Sequence, residues 1–338
     1  MEHSLSAAPV FQTFFGYLAT AALGSGVRLG VFDSLAPGPR DAPAVAQAVG
    51  ADARGVRILL EALAALGFVK HQPDGYRLTP VAEAFLVSSS LSYLGRLAEI
   101  FYSDWQWQGF LRLADAVRAG GTVAEDQNLE QPLHPFWETY VCAWGAAGFP
   151  AAAALTDLLA PWIAKRRPFA SLDVACGDGL YSFLLAERHP QAAVTLLDQA
   201  NVLETTRRLA HERGLDERAR FLEGDLFEVD LGGPYDVIVA SNVFHLFGTD
   251  RCRALLRRLR SVLKPDGRLA IHEFAPDPVS ADPVSRLFSL IMLVRTHSGE
   301  THTLTDYREM LAETGFTPPQ VHPLEGQPTS LLLSQRAF

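Results

Sequence analysis

The segment Leu172-Asp173-Val174-Ala175-Cys176-Gly177-Asp178-Gly179 joins an apolar run to a helical pattern. The run over residues 169–175 predicts a buried strand, and residues 180–188 have helical periodicity. Glycines between a strand and a helix let the backbone approach a ligand closely, and the first helical turn offers N–H groups that have no partner inside the helix. The segment therefore predicts a strand and a helix joined by a ligand-binding loop.

The rest of the C-terminal half alternates strand and helix patterns. The sequence Leu263-Lys264-Pro265-Asp266-Gly267 predicts a helix end and a turn before a further strand. Strands that alternate with helices are typical of a parallel, doubly wound sheet, so the fold class is α/β. The predicted strands are residues 169–175, 193–198, 219–222, 235–240, 268–274, 319–323 and 330–334, and the predicted helices are 180–188, 201–213, 251–263 and 305–314.

Acidic side chains stand where the second and third of these strands end. Asp198 follows Gly179 by 19 residues, and a carboxylate at that place can accept hydrogen bonds from both hydroxyls of a ribose. The third strand leads into Gly224-Asp225-Leu226-Phe227, where a carboxylate beside two apolar side chains suits the amino group and ring faces of adenine. These positions predict a nucleoside site.

These features also fit a dinucleotide, which leaves one alternative open. A dinucleotide fingerprint needs a third glycine close to the pyrophosphate, and Ser182 occupies that position. The ordered set of groups at strand ends is more specific than any single member. The candidate cofactor contacts are Asp173, Gly177, Gly179, Asp198, Gln199, Asp225, Leu226, Phe227 and Ser241.

The chain resembles the class I S-adenosylmethionine-dependent small-molecule O-methyltransferases of bacteria and plants over nearly its whole length. The family motif D-V-G-G-G-x-G matches residues 173–179, with Ala175 and Cys176 in place of two glycines, and the motif G-D-M-F matches residues 224–227. The resemblance implies S-adenosylmethionine as cofactor, S-adenosylhomocysteine as its product, and a homodimer. It also implies a winged-helix dimerisation domain over residues 1–104, a helical linker that contributes to the substrate pocket over 105–165, and a Rossmann-like seven-stranded methyltransferase domain over 166–338.

His245 follows the end of the predicted strand 235–240, at the edge where ligands bind in open α/β sheets. Histidine has the unperturbed pKa that suits proton removal from a phenol. In the resembling family the base is the His of an H-D-W motif, which falls on His245. The Asp and Trp of that motif are Leu246 and Phe247 here, and a Lys found four residues earlier is Ser241.

The same family flanks its base with two carboxylates. One of them falls on Glu273, in His272-Glu273-Phe274. The other falls by spacing on Thr301, with Glu300 one residue away, so either residue remains open for that position. The resemblance thus implies His245, Glu273 and Glu300 as the catalytic set.

Aromatic side chains predict where the acceptor binds. All five tryptophans lie between residues 105 and 162, and aromatic walls favour planar ligands, although a helical core would also explain the cluster. The candidate substrate contacts are Trp105 and Trp137, together with Phe244 beside the base and Met292, which matches the family's substrate-pocket methionine. The substrate itself is not specified by these residues.

The N-terminal third has the order helix, turn, helix and hairpin that is typical of a winged helix. Asp41 before Pro43 predicts a capped helix, and Gln72-Pro73-Asp74 predicts a turn between two short strands. Residues 1–110 carry seven Lys or Arg against nine Asp or Glu, a net charge of −2. DNA binding needs the opposite sign, so we expect a structural or dimerisation role.

Composition and charge exclude several other classes of protein. The 338 residues are 48% hydrophobic and 20% charged with a net charge of −9, which excludes a disordered chain and argues against nucleic-acid or anionic-membrane partners. No signal peptide is expected at the N-terminus, and the apolar stretches look too short for a membrane span. The three cysteines predict no disulfide framework, and the localisation expected is cytoplasmic. The spacing of His297 and His302 predicts no metal site.

The leading expectation is O-methylation of an aromatic or polyketide-type natural product, with His245 as general base. Methylation of carbon or nitrogen is an alternative, because such acceptors need little help from a base. A further alternative is an enzyme that binds S-adenosylmethionine but catalyses hydroxylation, decarboxylation or cyclisation, which the altered H-D-W motif keeps open.

Overall fold

The computed structural model describes residues 5–166, 168–277 and 283–337. The chain divides into two compact units, Met1–Trp107 and Gln108–Phe338.

The first unit is a group of helices with one β-hairpin. Asp41 and Asp52 cap two of the helices, because their carboxylates accept hydrogen bonds from Ala44 N (2.8 Å) and Gly55 N (3.0 Å). The predicted order of helices followed by a hairpin is confirmed. The elements are α1 (Ala8–Arg28), α2 (Val31–Leu35), α3 (Ala42–Val49), α4 (Ala53–Ala65), β1 (Val69–Gln72), β2 (Gly75–Leu78), α5 (Pro80–Phe85), α6 (Ala98–Phe101) and α7 (Asp104–Leu111), which extends past the boundary.

Helix α1 presents apolar side chains to solvent within the first unit. Phe11, Phe14, Phe15, Tyr17 and Leu18 are all about half exposed or more. Such a contiguous apolar face is typical of an interaction surface and not of a free monomer surface.

Two described helices have the length and apolar composition that a membrane span needs, which differs from the sequence-based expectation. They are α1 and α9 (Phe136–Ile163). Core helices of soluble proteins meet the same criteria of length and composition. Helix α9 packs against neighbouring helices of the second unit and contributes Leu155 and Leu159 to its core.

The second unit contains a seven-stranded sheet in the order β5-β4-β3-β6-β7-β9-β8. Strands β3 to β7 are parallel, whereas β9 runs antiparallel to both β7 and β8. Strand β9 therefore departs from the predicted parallel sheet. The strands are β3 (Phe169–Val174), β4 (Ala192–Asp198), β5 (Ala219–Glu223), β6 (Tyr235–Ser241), β7 (Leu263–Glu273), β8 (Gln320–Pro323) and β9 (Ser330–Ser334).

The reason for the antiparallel edge is the short connection between Pro323 and Ser330. Six residues suffice for a hairpin, whereas a parallel crossover needs a dozen or more. The helices of this unit, besides α9, are α8 (Leu113–Ala119), α10 (Leu180–Arg188), α11 (Ala200–Glu212), α12 (Thr249–Val262), α13 (Pro283–Arg295) and α14 (Leu304–Glu313).

The predicted turn after Leu263 is part of strand β7. Leu263 already pairs with Tyr235, and Arg268 pairs with Val237, so the register shifts between these positions and accommodates the extra residues. Lys264 Nζ donates to Asp236 Oδ2 at 2.8 Å, which holds the irregular segment against β6.

Apolar side chains on the two faces of the sheet form two cores. One core joins the sheet to α9, α10 and α11, and the other joins it to α12 and α14. Because the parallel strands share one direction, the residues that follow them meet at one edge. That edge carries the loops after Val174, Asp198, Glu223 and Ser241.

Candidate active site

A cavity of about 390 Å³ lies at this edge of the second unit, in the size range of small-molecule sites. Its walls come from the loops after β3, β4, β5 and β6 and from helix α9. Of the predicted cofactor contacts it is lined by Gly177, Asp198, Gln199, Asp225, Leu226, Phe227 and Ser241.

The loop after β3 adopts a conformation that needs glycine. Gly177 and Gly179 have φ of +56° and +79°, and a Cβ on Gly179 would stand 2.6 Å from the Phe183 ring. Gly179 begins helix α10 and does not line the cavity, so its contribution is to the shape of the loop. Asp173 is also absent from the lining and is 1% exposed.

Asp198 lies at the end of β4 with both oxygens in use. Its Oδ2 accepts from Gly177 N at 2.9 Å, and its Oδ1 accepts from Gln199 N at 2.8 Å. Burial raises the pKa of Asp198 to about 6, against the effect of these two N–H donors. Each carboxylate oxygen of Asp198 keeps a lone pair. The two hydroxyl groups of a vicinal diol can therefore each donate one further hydrogen bond to this carboxylate.

Gln199 makes a different contact from the predicted one. Its Oε1 accepts a hydrogen bond from Leu133 N and so ties the β4 loop to the segment before α9. The residue still lines the cavity.

The cavity ends in an aromatic slot beside Asp225. Asp225 Oδ1 accepts from Phe227 N at 2.7 Å, and the Phe227 and Phe247 rings meet edge to face at 5.0 Å. The guanidinium of Arg251 lies 4.3 Å from the Phe227 centroid. Apolar faces beside a carboxylate match the needs of adenine, and Phe247 was named in the sequence only as a departure from the H-D-W motif.

We expect Asp198→Asn to weaken binding of S-adenosylmethionine by about 10- to 100-fold, because charge-assisted hydrogen bonds to the diol are lost. In the native protein, affinity should also fall as pH drops below about 6, since a protonated Asp198 no longer accepts two donors. Titration calorimetry between pH 5 and 8 measures both effects. The exposed Asp216→Asn is the control, and a pH dependence that survives in Asp198→Asn would contradict the assignment.

His245 and Glu273 form a buried pair beside the cavity. His245 Nδ1 lies 2.8 Å from Glu273 Oε2, with side-chain exposures of 8% and 0%. Glu273 Oε1 accepts from Phe244 N (2.9 Å) and His245 N (3.3 Å). Burial alone would raise the pKa of Glu273, but His245 and these donors outweigh it and hold the pKa below the usual 4.5.

The tertiary structure explains how the pair meets. His245 stands in a short 3-10 helix, Phe244–Leu246, directly after β6, while Glu273 ends the adjacent strand β7. Val243 and Leu246 on either side of it line the cavity. In the described chain, the Nε2 atom of His245 makes no hydrogen bond.

Glu300 and Thr301 do not complete a second contact to the histidine. The Glu300 side chain is exposed and makes no hydrogen bond to the described residues. Thr301 is 6% exposed; its hydroxyl pairs with that of Ser289 and donates to Ser285 O at 3.1 Å. The structure thus brings Glu273 to His245 and leaves the role of Glu300 a prediction.

The structure places only some of the predicted substrate residues at the cavity. Trp137 lines the cavity, whereas Met292 is 3% exposed and absent from the lining. Phe244 is 0% exposed and packs edge to face on Tyr307, so its expected substrate contact is corrected to a core role. Trp105 belongs to the first unit.

Sequence reasoning missed several cavity residues. Tyr140 and Trp144 stack at 5.2 Å on one face of α9, one turn apart, and only Trp144 carried a signal as part of the tryptophan cluster. Asp178 and Tyr181 also line the cavity from the β3 loop and α10. Over residues 5–166, 168–277 and 283–337 no group of three His, Cys, Asp or Glu side chains is arranged to hold a metal.

The parallel strands place the Asp198 carboxylate and the slot beside Asp225 at one edge of the sheet, an arrangement that suits a nucleoside. Two family models match the chain: an O-methyltransferase dimerisation domain over residues 11–88 and a methyltransferase domain over residues 172–267.

Comparisons of the whole chain agree. Acetylserotonin O-methyltransferase of Mus musculus molossinus is 33% identical over 331 residues, covering 89% of this chain and 81% of that protein. A candidate O-methyltransferase from Nostoc punctiforme PCC 73102 superposes with a TM-score of 0.91 at 30% identity, covering 98% and 100% of the two chains. Human N-acetylserotonin methyltransferase in complex with S-adenosylmethionine gives 0.78 at 25% identity, with full coverage of both.

The chain belongs to the class I S-adenosylmethionine-dependent O-methyltransferases that carry an N-terminal dimerisation domain. The predicted family, fold class and cofactor are confirmed. The site fits that cofactor: Asp198 offers two acceptors to the ribose diol, and Leu226 and Phe227 offer apolar faces to the adenine.

Proposed function

We propose that the enzyme methylates a hydroxyl group on an aromatic small molecule, with His245 as the general base. The observation that carries this proposal is the His245–Glu273 pair beside the cavity. Because Nδ1 is bound to Glu273, Nε2 is the ring atom that remains to take a proton.

When bound, S-adenosylmethionine would supply an activated methyl group, whose bond to sulfur would break with the electron pair left on the neutral thioether of S-adenosylhomocysteine. His245 Nε2 accepts the proton of the acceptor hydroxyl as the new carbon–oxygen bond forms, so the acceptor loses H⁺ and gains a methyl group. Glu273 stabilises the imidazolium that results and keeps the ring in its Nδ1–H tautomer before the proton arrives.

Aromatic rings beside the base support a planar acceptor. The Phe288 and Phe274 centroids lie 5.1 and 6.3 Å from the His245 ring, and the two phenyl rings stack at 4.3 Å. Offset and edge-to-face contacts with such rings favour another aromatic system. The acetylserotonin methyltransferases among the relatives are consistent with an acceptor of modest size.

We also propose that a second copy of the chain covers the apolar face of α1. The support is the exposed set Phe11, Phe14 and Phe15 within the segment that matches the dimerisation family model. Sedimentation equilibrium should give about twice the 36.9 kDa chain mass, and Phe14→Glu should reduce it toward one chain. A monomer at micromolar concentration in the unsubstituted protein would contradict the dimer.

The reaction is tested with trideuteromethyl-labelled S-adenosylmethionine and a panel of hydroxylated aromatics, followed by NMR of the product. We expect S-adenosylhomocysteine to accumulate and the label to appear on oxygen. Label on carbon or nitrogen would replace the O-methyl assignment. Substrate conversion without S-adenosylhomocysteine would instead favour hydroxylation, decarboxylation or cyclisation.

A further inference from the structure

Strand β7 ends in two polar residues that point to opposite faces of the sheet. Side chains alternate along a strand, so Glu273 reaches His245 while the preceding His272 faces the other way. His272 is only 5% exposed. Buried polar groups in proteins are hydrogen-bonded, so the hydrogen-bond partners of the His272 ring indicate its role.

His272 contacts hydroxyl groups through both ring nitrogens. Its Nδ1 lies 2.6 Å from Tyr181 Oη and 3.2 Å from Ser241 Oγ, and its Nε2 lies 2.8 Å from Thr329 Oγ1. Thr329 Oγ1 itself donates to Gln327 Oε1 at 3.4 Å, so it accepts from His272. The neutral ring therefore carries its proton on Nε2 and accepts at Nδ1.

Burial supports the neutral form. Burial is the main reason why the pKa of His272 is lowered to about 4; Glu273 opposes this shift, and His245 contributes a smaller part of it. Burial, with the negative charges of Asp173 and Asp178, raises the pKa of Tyr181, so its hydroxyl keeps its proton. Because His272 Nδ1 accepts, the Tyr181 hydroxyl donates its proton to His272, and its oxygen keeps acceptor capacity.

Tyr181 and Ser241 both line the cavity. The sheet order places the adenine slot at the end of β5 and the ribose carboxylate at the end of β4. The next strand ends along the sheet are those of β3, which leads through its loop to Tyr181 in the first turn of α10, and of β6, which ends at Ser241. The positively charged sulfonium of the cofactor belongs between the ribose and the acceptor, and hence in this part of the cavity.

Carboxylates in the part of the cavity near Tyr181 and Ser241 also favour a bound cation. Asp178 lines the cavity there, and Glu273 lies close enough to raise the pKa of Tyr140 beyond the effect of burial. The cationic side chain among the lining residues is Arg251, which lies at the adenine slot.

We propose that the Tyr181 hydroxyl oxygen contacts the sulfonium centre of the methyl donor and that His272 is the positioning residue that turns this oxygen toward it. The inference rests on the proposed function, because it assumes that S-adenosylmethionine binds in this cavity. It assigns Tyr181 to discrimination between the charged donor and its neutral thioether product.

The test is titration calorimetry of Tyr181→Phe with S-adenosylmethionine and, separately, with S-adenosylhomocysteine. We expect affinity for the charged donor to fall by about five-fold and affinity for the neutral product to stay within about two-fold, since only the sulfonium polarises its methyl and methylene groups toward oxygen. Tyr235→Phe is the matched control, because it removes another buried hydroxyl, one that donates to Leu231 O at 2.6 Å.

Variants of His272 separate positioning from packing. His272→Leu removes the acceptor and should reproduce the selective loss, whereas His272→Asn places an amide oxygen near the former Nδ1 and should restore most of it. If His272→Leu does not fold, Thr329→Val removes the acceptor of the Nε2 proton and should give a smaller loss of the same kind.

Equal losses for both ligands in Tyr181→Phe, or no loss, would overturn the contact with the sulfonium. Native selectivity in both His272→Leu and Thr329→Val would overturn the positioning role. Failure of the unsubstituted protein to bind either ligand would instead refute the function on which the inference rests.

Discussion

His245→Ala is expected to lower kcat by about two to four orders of magnitude while affinity for S-adenosylmethionine stays nearly unchanged. The imidazole is the group in contact with Glu273, and it stands next to the cavity residues Val243 and Leu246. Without it, the acceptor hydroxyl must lose its proton to water. Single-turnover kinetics and calorimetry measure the two quantities independently.

The size of the decrease in kcat for His245→Ala should depend on the acidity of the acceptor hydroxyl. A more acidic phenol is partly ionised before it binds and needs less help, so we expect a smaller rate loss with such a substrate. Added imidazole should restore part of the rate. The exposed His211→Ala is the control, and a kcat near that of the native enzyme in His245→Ala would refute the base assignment.

Glu273→Gln is expected to lower kcat by about 100-fold or more, because a neutral amide stabilises the imidazolium less well. The substitution should also cost about 1–3 kcal/mol of unfolding free energy. Glu273 accepts from Phe244 N, His245 N and Phe274 N, whereas an amide can accept through one atom alone. Rate assays and urea denaturation report the two effects.

The difference in unfolding free energy between the native protein and Glu273→Gln should depend on pH. The pKa of Glu273 is depressed in the folded protein, so its carboxylate contributes stability above the ordinary pKa of 4.5 and loses that contribution as pH falls through the lower folded value. The gap between the native protein and Glu273→Gln should narrow in that acidic range. The exposed Glu313→Gln is the control, and a pH-independent gap would contradict a charged, paired Glu273.

Much of the local structure could be predicted because it depends on near neighbours in the chain. Helix α10 and strand β9 have the predicted bounds, β4 begins one residue earlier than predicted, and α11 begins and ends one residue earlier than predicted. Apolar periodicity and the Gly177–Gly179 loop carry this information within a dozen residues. The same local signals placed Asp198 and His245 at strand ends.

The parts that could not be predicted depend on residues far apart in sequence. Phe244 was predicted from its place beside the base, yet it lies in the core. Glu300 was predicted from a family motif that falls by spacing on the next residue, and it is exposed without a contact to His245. A motif fixes the order of side chains but not the direction in which each one points. The rotation of the short 3-10 helix after β6 determines that direction.

The amino-acid sequence alone therefore determined the unit of strand, loop and helix around Gly177–Gly179. It also determined that Asp198 and His245 follow the ends of strands. Only the tertiary structure decided that Glu273 meets His245 from 28 residues away and that Tyr181 meets His272 from 91 residues away. The physical reason is that a hydrogen bond between distant residues depends on strand register and on the packing of helices against the sheet. Those features arise from the whole core at once, and no short stretch of sequence encodes them.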